Sequence, residues 1–276
     1  MMLITIAAPF ALAKTQPNVI FIMADDLGYG DLGCYGAKHF ETPSSDRLAR
    51  EGMRFTDAHS PSSVCTPTRY SVLTGRYAWR SWLKNWVVQQ NHPLLIDTER
   101  LTMGKVFQNA GYTTGCVGKW HLGWGTELDT SFNGEVKPGP LEVGFDSFFG
   151  VPFSHNSGKK LQVYMRDRSI VNLKPGLDYD SDEAMKATVR KLEDTAIELS
   201  KEAVAFVGKN RDKPFFLFYP TTNIHFPLTP NSRFFGSTKA GVYGEFVVEF
   251  DWAVGELLAA LDRHGLADNT IVVLSS

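Results

Sequence analysis

The chain has 276 residues, 43% of them hydrophobic and 21% charged, with a formal net charge of −2 and a pI of about 6.4. That length allows one or two domains, and the apolar share is enough for a core, which excludes a disordered chain. No basic excess marks a nucleic-acid surface, and three cysteines far apart in sequence exclude a disulfide scaffold.

Residues 1–13 (MMLITIAAPFALA) form an apolar run too short to span a bilayer, which takes about 20 residues. The run ends in Ala11-Leu12-Ala13, a small-residue cleavage pattern. This predicts a signal peptide over 1–13 and an exported protein with no transmembrane span. The basic flank of a full signal is missing, which fits a clipped or mis-started leader; a disordered or edge-strand N-terminus is the alternative. Residues 18–24 (NVIFIMA) read as a buried parallel strand. Thr42-Pro43-Ser44-Ser45 opens a helix that Gly52 closes, and residues 53–58 read as a short strand. After a Ser/Pro loop at 60–64, Pro67 is expected as the first residue of a helix to Leu73, stopped by Thr74-Gly75. Residues 102–110 read as a helix, 113–117 as a strand and 123–144 as a long loop. Residues 181–209 carry one amphipathic helical pattern, and 214–220 (PFFLFYP) read as a buried strand. Residues 241–264 form a long helix with Phe246, Phe250, Val254, Leu257 and Leu261 on one face, before a final strand at 270–274. Strands alternating with helices predict an α/β fold, a mixed, mostly parallel central sheet with helices on both faces. No repeat or linker divides residues 17–276, so they are expected to form one domain. Functional groups collect beyond the carboxyl ends of strands in such sheets. A chain that stops just after a strand is therefore expected to be incomplete at its C-terminal end.

Four clusters carry chemistry. Asp25-Asp26 closes the first strand; adjacent carboxylates repel, and oxygen donors suit calcium or magnesium, although Asp-Asp-Leu-Gly is also ordinary turn chemistry. Cys65 stands at a helix start, where free N–H groups favour anions, and Arg69 follows about one turn later. In Gly118-Lys119-Trp120-His121, an extended backbone would point Lys119 and His121 to one side and Trp120 to the other. A cation beside an imidazole suits an anion and a leaving group's proton, whereas a polar loop end anchored by Trp120 is the plainer reading. His225, in Asn223-Ile224-His225-Phe226-Pro227, follows another strand. Trp79, Trp82 and Trp86 could offer stacking surface to a sugar ring or pack in the core.

Cys65-x-Pro67-x-Arg69 with Leu73-Thr74-Gly75-Arg76 resembles the sulfatase signature. Asp25-Asp26-Leu27-Gly28-Tyr29-Gly30-Asp31, Gly118-Lys119-Trp120-His121-Leu122-Gly123, the His225 segment and Phe250-Asp251-Trp252-Ala253-Val254-Gly255 occur in that family's order. The resemblance covers residues 17–276 and is to the arylsulfatase type, with an alkaline-phosphatase-like fold. It implies hydrolysis of sulfate monoesters, on a sulfated carbohydrate or an aryl sulfate. It implies that a formylglycine-generating maturation enzyme oxidises Cys65 to formylglycine, whose hydrate supplies the nucleophilic oxygen. Asp25, Asp26 and the modified Cys65 match ligands of calcium, with magnesium the weaker candidate. Arg69 matches the residue that stabilises the hydrate. Lys119 and His225 match sulfate contacts, with His225 the acid for the leaving oxygen. His121 matches the base that regenerates the aldehyde, and Ser154 resembles a further site-lining serine. The chain departs from the family where an Asp-Asn or Asp-His pair and a later lysine normally follow the last strand. Cys34 and Cys116 are expected to be structural thiols. A phosphate or phosphonate ester hydrolase and a noncatalytic sulfated-glycan binding fragment are the alternative functions.

Overall fold

The apolar runs sort themselves between two cores by strand alternation. In β6 (Phe215–Pro220) every residue is buried. Phe216 and Phe218 enter one core, with Tyr70, Leu73 and Phe107; Phe215, Leu217 and Tyr219 enter the other, with Leu199, Ala203, Phe250 and Val254. In β1 (Asn18–Met23), Ile20 and Ile22 face the second core, while Val19 and Phe21 pack against the first. A period of two on strands buried from both sides is what requires helices on both faces. A computed structural model describes residues 16–276, so the predicted leader over 1–13 lies outside the described residues.

The first core is covered by α2 (Cys65–Thr74) and α3 (Met103–Asn109). The second is covered by α5 (Thr195–Lys209) and α6 (Gly241–Arg263), with α1 (Pro43–Glu51) packed on α6. The seven-stranded sheet runs β5-β4-β3-β2-β6-β1-β7, with β2 at Thr113–Lys119, β3 at Ser147–Val151 and β7 at Thr270–Ser275. From β3 to β7 all neighbours are parallel; β4 (Met165–Arg166) and β5 (Ser169–Ile170) form an antiparallel margin. The carboxyl ends of β1, β2, β3 and β6 therefore open on one side. The expected mixed, mostly parallel sheet with helices on both faces is the observed one.

Local expectations differ in four places. Residues 53–58 form no strand; Met53 and Phe55 point into solvent with no neighbouring strand to pair with. The helical pattern over 181–209 is two helices, α4 (Asp182–Thr188) and α5, because Val189 bridges to Val163 and Arg190 turns inward to the carbonyl of His155. Helix α2 begins at Cys65, so Pro67 is its third residue, still within the turn whose N–H groups lack helical partners. Strands β3, β4 and β5 were not expected. Among the described residues no helix is long and apolar enough to cross a membrane.

Candidate active site

Asp25 and Asp26 follow β1 and diverge. Asp25 is buried, while Asp26 adopts a positive φ of 69°, a conformation aspartate tolerates, and turns its half-exposed carboxylate outward. The Asp25 backbone is locked to the loop after β6: its N–H donates to Asn223 O at 2.7 Å, and Ile224 N–H donates to Asp25 O at 2.7 Å.

Two fully buried cations grip the Asp25 carboxylate. Lys119, the last residue of β2, places Nζ 2.7 Å from Oδ2, and Arg69 Nη2 lies 3.0 Å from Oδ1. Burial would raise the proton affinity of Asp25, but Lys119 and Arg69 outweigh it and hold the carboxyl well below the usual range. Arg69 lies one turn beyond Cys65 on the same face of α2, and its Nη1 donates to Lys119 O at 2.7 Å. Its buried Nε has no partner.

A polar chain leads outward from this knot. Lys119 Nζ donates to Ser154 Oγ at 3.3 Å, and Ser154 Oγ lies 3.3 Å from His225 Nε2. Nε2 is also 3.9 Å from Asp26 Oδ2, while His225 Nδ1 bonds Phe226 O at 2.5 Å. Each ring nitrogen of His225 thus faces an oxygen that can accept a hydrogen bond.

His121 reaches the same region differently. Strand β2 stops at Lys119, and His121 has a φ of 55°, so plain strand alternation does not extend to it. Trp120 nevertheless packs into the core against Phe145 and Phe148, leaving Lys119 and His121 toward the site. Burial, then Lys119 and Arg69, push the His121 imidazolium pKa well below its ordinary value, so the ring is neutral. Its Nε2 lies 3.0 Å from Val88 O, which can only accept. That contact assigns the proton to Nε2 and leaves a lone pair on the buried, unpartnered Nδ1. Thr66 Oγ1 fixes the backbone by donating to His121 O at 2.8 Å.

Asp25, Asp26, Cys65, Arg69, His121, Ser154 and His225 line one open cleft of about 800 Å³, with Lys119 beneath it. Of the three tryptophans, Trp86 lines the cleft; Trp79 and Trp82 are exposed elsewhere on the surface. Sequence reasoning missed Thr66, Val88, Gln89 and Gln90. The glutamines line the cleft from a segment that belongs to none of the motifs, and Val88 acts through a carbonyl that no residue type announces. All three cysteines are free; Cys116 is buried in the core, where desolvation raises its pKa.

Among the described residues no cluster of three or more His, Cys, Asp or Glu is arranged to hold a metal. The donors present still fit one side of a hard-cation site. Each Asp25 oxygen spends one lone pair on a cation and keeps another, and the Asp26 carboxylate is solvent-facing beside it.

The sulfatase family model matches residues 17–276. The N-acetylgalactosamine-6-O-sulfatase of Bacteroides thetaiotaomicron is 35% identical over 95% of this chain and 58% of its own length. Human arylsulfatase A is 35% identical over all of this chain and 54% of its own length. A solved structure from work on the metabolism of multiple glycosaminoglycans by Bacteroides thetaiotaomicron superposes with a TM-score of 0.89 at 34% identity. That match covers 94% of this chain and 62% of the other. The chain spans between half and two thirds of the length of these relatives.

Proposed function

The chain belongs to the sulfatase family, and from that premise we propose that it hydrolyses sulfate monoesters of a carbohydrate. The observation that carries the reading is the buried Lys119–Asp25–Arg69 array under a cleft whose mouth holds Cys65, Ser154 and His225. A sulfate monoester is an anion, and fixed cations in a dry site stabilise charge that builds on its oxygens. Lys119 Nζ, bonded to both Asp25 and Ser154, is held ready to face a sulfuryl oxygen. His225 Nε2 gives its proton to the bridging oxygen as the sulfur–oxygen bond breaks, so the alcohol leaves neutral. His121 Nδ1, with its free lone pair, takes up the proton released at residue 65. Arg69 orients the oxygen carried at residue 65 through the shared face of α2.

Cys65, converted by a maturation enzyme to formylglycine, would supply an oxygen nucleophile that a thiol does not. Asp25, Asp26 and that oxygen would hold a calcium ion, which would add positive charge opposite the ester. The cleft rim has the chemistry of a sugar site. Trp86 is 68% exposed beside Gln89 and Gln90, an aromatic face for the apolar side of a ring and amides for its hydroxyls. A polysaccharide substrate agrees with export, the compartment expected from residues 1–13.

The test is an assay of aryl sulfate and aryl phosphate esters side by side, with protein coexpressed with a maturation enzyme and peptide mass spectrometry of residue 65. Sulfate turnover with an aldehyde at residue 65, abolished by Cys65→Ala, is expected. Preference for the phosphate ester would make this a phosphate or phosphonate hydrolase. Binding of sulfated sugar without turnover by aldehyde-bearing protein would make it a noncatalytic glycan binder.

A further inference from the structure

Glu249 lies on α6, outside the cleft, and is 1% exposed. No lysine or arginine among the described residues forms an ion pair with it within 4.0 Å. A carboxylate buried in this way is costly unless hydrogen bonds hold it. Its bonds go to two points of one loop. Oε2 accepts from Asn223 Nδ2 at 3.0 Å, and Oε1 accepts from Asn231 N–H at 3.1 Å. Asn231 is tied in turn to the start of α5, donating from Nδ2 to Asp194 Oδ1 at 2.9 Å and to Glu193 O at 3.1 Å. Asn223 is tied to β1 through the Asp25 N–H.

Between those two points the chain carries His225. Its imidazole has few restraints of its own: Ser154 Oγ at 3.3 Å, the neighbouring Phe226 carbonyl, and Asp26 at 3.9 Å. The ring's position over the cleft is therefore set by where residues 223 and 231 are held, and one buried carboxylate is the contact common to both. Resting on the sulfatase reading and on His225 as its acid, we infer that Glu249 is a positioning residue. It clamps both ends of the His225 loop to α6 and so aims Nε2 at the leaving oxygen.

The consequence is selective. An acid matters most when the leaving group is a poor one, and a displacement near 1 Å can cost about 100-fold. Glu249→Met removes both acceptors at similar length, whereas glutamine would keep both bonds, since the unpartnered Asn223 Oδ1 can turn to accept from the new amide; Asn223→Ala removes one of the two bonds and leaves Glu249 intact. Each variant is assayed on para-nitrophenyl sulfate, whose phenolate leaves unaided, and on para-methoxyphenyl sulfate, whose phenolate needs the proton. Both variants should lose about 10-fold or more in kcat on the methoxy ester and less than about 3-fold on the nitro ester, with KM little changed. Equal losses on both esters, or none, would overturn the inference. If Glu249→Met fails to fold, Asn223→Ala decides alone. His225→Ala is the control. If it shows the leaving-group selectivity and the clamp variants do not, the clamp is wrong. If it lacks the selectivity, the acid assignment fails and takes the clamp with it.

Discussion

Replacing Lys119 with methionine removes one ammonium and keeps most of the side-chain volume, so the test isolates charge from packing. In the native site Nζ is fully buried and 2.7 Å from Asp25 Oδ2. At an effective dielectric constant of about 20, unit charges roughly 4 Å apart attract by about 4 kcal/mol. Not all of that is lost. Asp25 keeps Arg69 at 3.0 Å, the repulsion between Lys119 and Arg69 disappears, and the ammonium no longer has to be desolvated. Breaking a buried pair by removing one partner costs about 3–5 kcal/mol when the other is left bare. With Arg69 still in place, the expected loss is about 2–3 kcal/mol. An unfolding entropy of roughly 2.1 cal/mol/K per residue, over a chain this long, converts that to a fall in Tm of about 4 °C. Urea denaturation at pH 7 measures the free energy directly. It is run in EDTA so that a divalent ion cannot replace the missing charge beside Asp25. The His121 C2 proton resonance gives a second readout: Lys119 helps to hold that ring neutral, so its midpoint should rise in the variant. A loss below about 0.5 kcal/mol with no movement of His121 would refute the claim that Lys119 is the principal counter-charge of Asp25.

Burial pushes the carboxyl of Glu249 up to about 7 from an ordinary 4.5, against hydrogen bonds from Asn231 and Asn223. The folded state therefore prefers the protonated acid, so stability is fullest below about pH 4.5 and falls until about pH 7. The loss across that window should be on the order of 2–3 kcal/mol by urea denaturation at pH 5 and pH 8, and Glu249→Gln should flatten it. A profile that is flat or rising in the wild type refutes the raised value. Gly118→Ala should cost about 3 kcal/mol or more, or prevent soluble expression: the backbone is at φ 139°, and an added Cβ would lie 1.9 Å from Pro220 O, a backbone atom that cannot step aside. A soluble variant with unchanged Tm would contradict that close approach. Trp86→Ala should leave Tm within about 1 °C and raise KM for a sulfated saccharide by up to about 10-fold, the range of one aromatic contact. Unchanged KM would remove Trp86 from the sugar site.

The parts of the fold that were readable are those whose burial is uniform. β1 and β6 are unbroken apolar runs because both their faces are covered, and α6 is long enough for its stripe to repeat. β3 (SFFGV) is equally buried but short and follows a glycine-rich loop; β4 and β5 have two residues each and exist only as pairing partners. The false strand at 53–58 shows the converse, since Met53 and Phe55 alternate with polar residues yet have nothing to pair with. The residues singled out from motifs, Asp25, Cys65, Arg69, Lys119, His121, Ser154 and His225, gather at one cleft because the carboxyl ends of β1, β2, β3 and β6, the loops that follow them and the first turns of α2 meet on one side of the sheet. The residues that hold them were not readable. Thr66 and Val88 act on backbone groups or through them, and Glu249 is one of three buried acids on α6, with Glu245 and Asp251, so its type alone does not single it out.

The strand order also sets a timetable. β1 is the first strand among the described residues, yet its neighbours are β6 and β7, and the Asn18 side chain meets Phe215 and Thr270 across separations of 197 and 252 residues. Closing loops of that length is slow, and contacts between distant parts of a chain delay folding. From its emergence until residue 215 is available, the segment NVIFIM has no parallel partner, and it has the composition of an aggregation-prone stretch. Asp25 stands at its end, and the loop that anchors the Asp25 backbone arrives only after β6. A nascent chain therefore holds most of the residues of the cleft long before it can hold the cleft, and its yield should depend on how well β1 is sheltered while it waits.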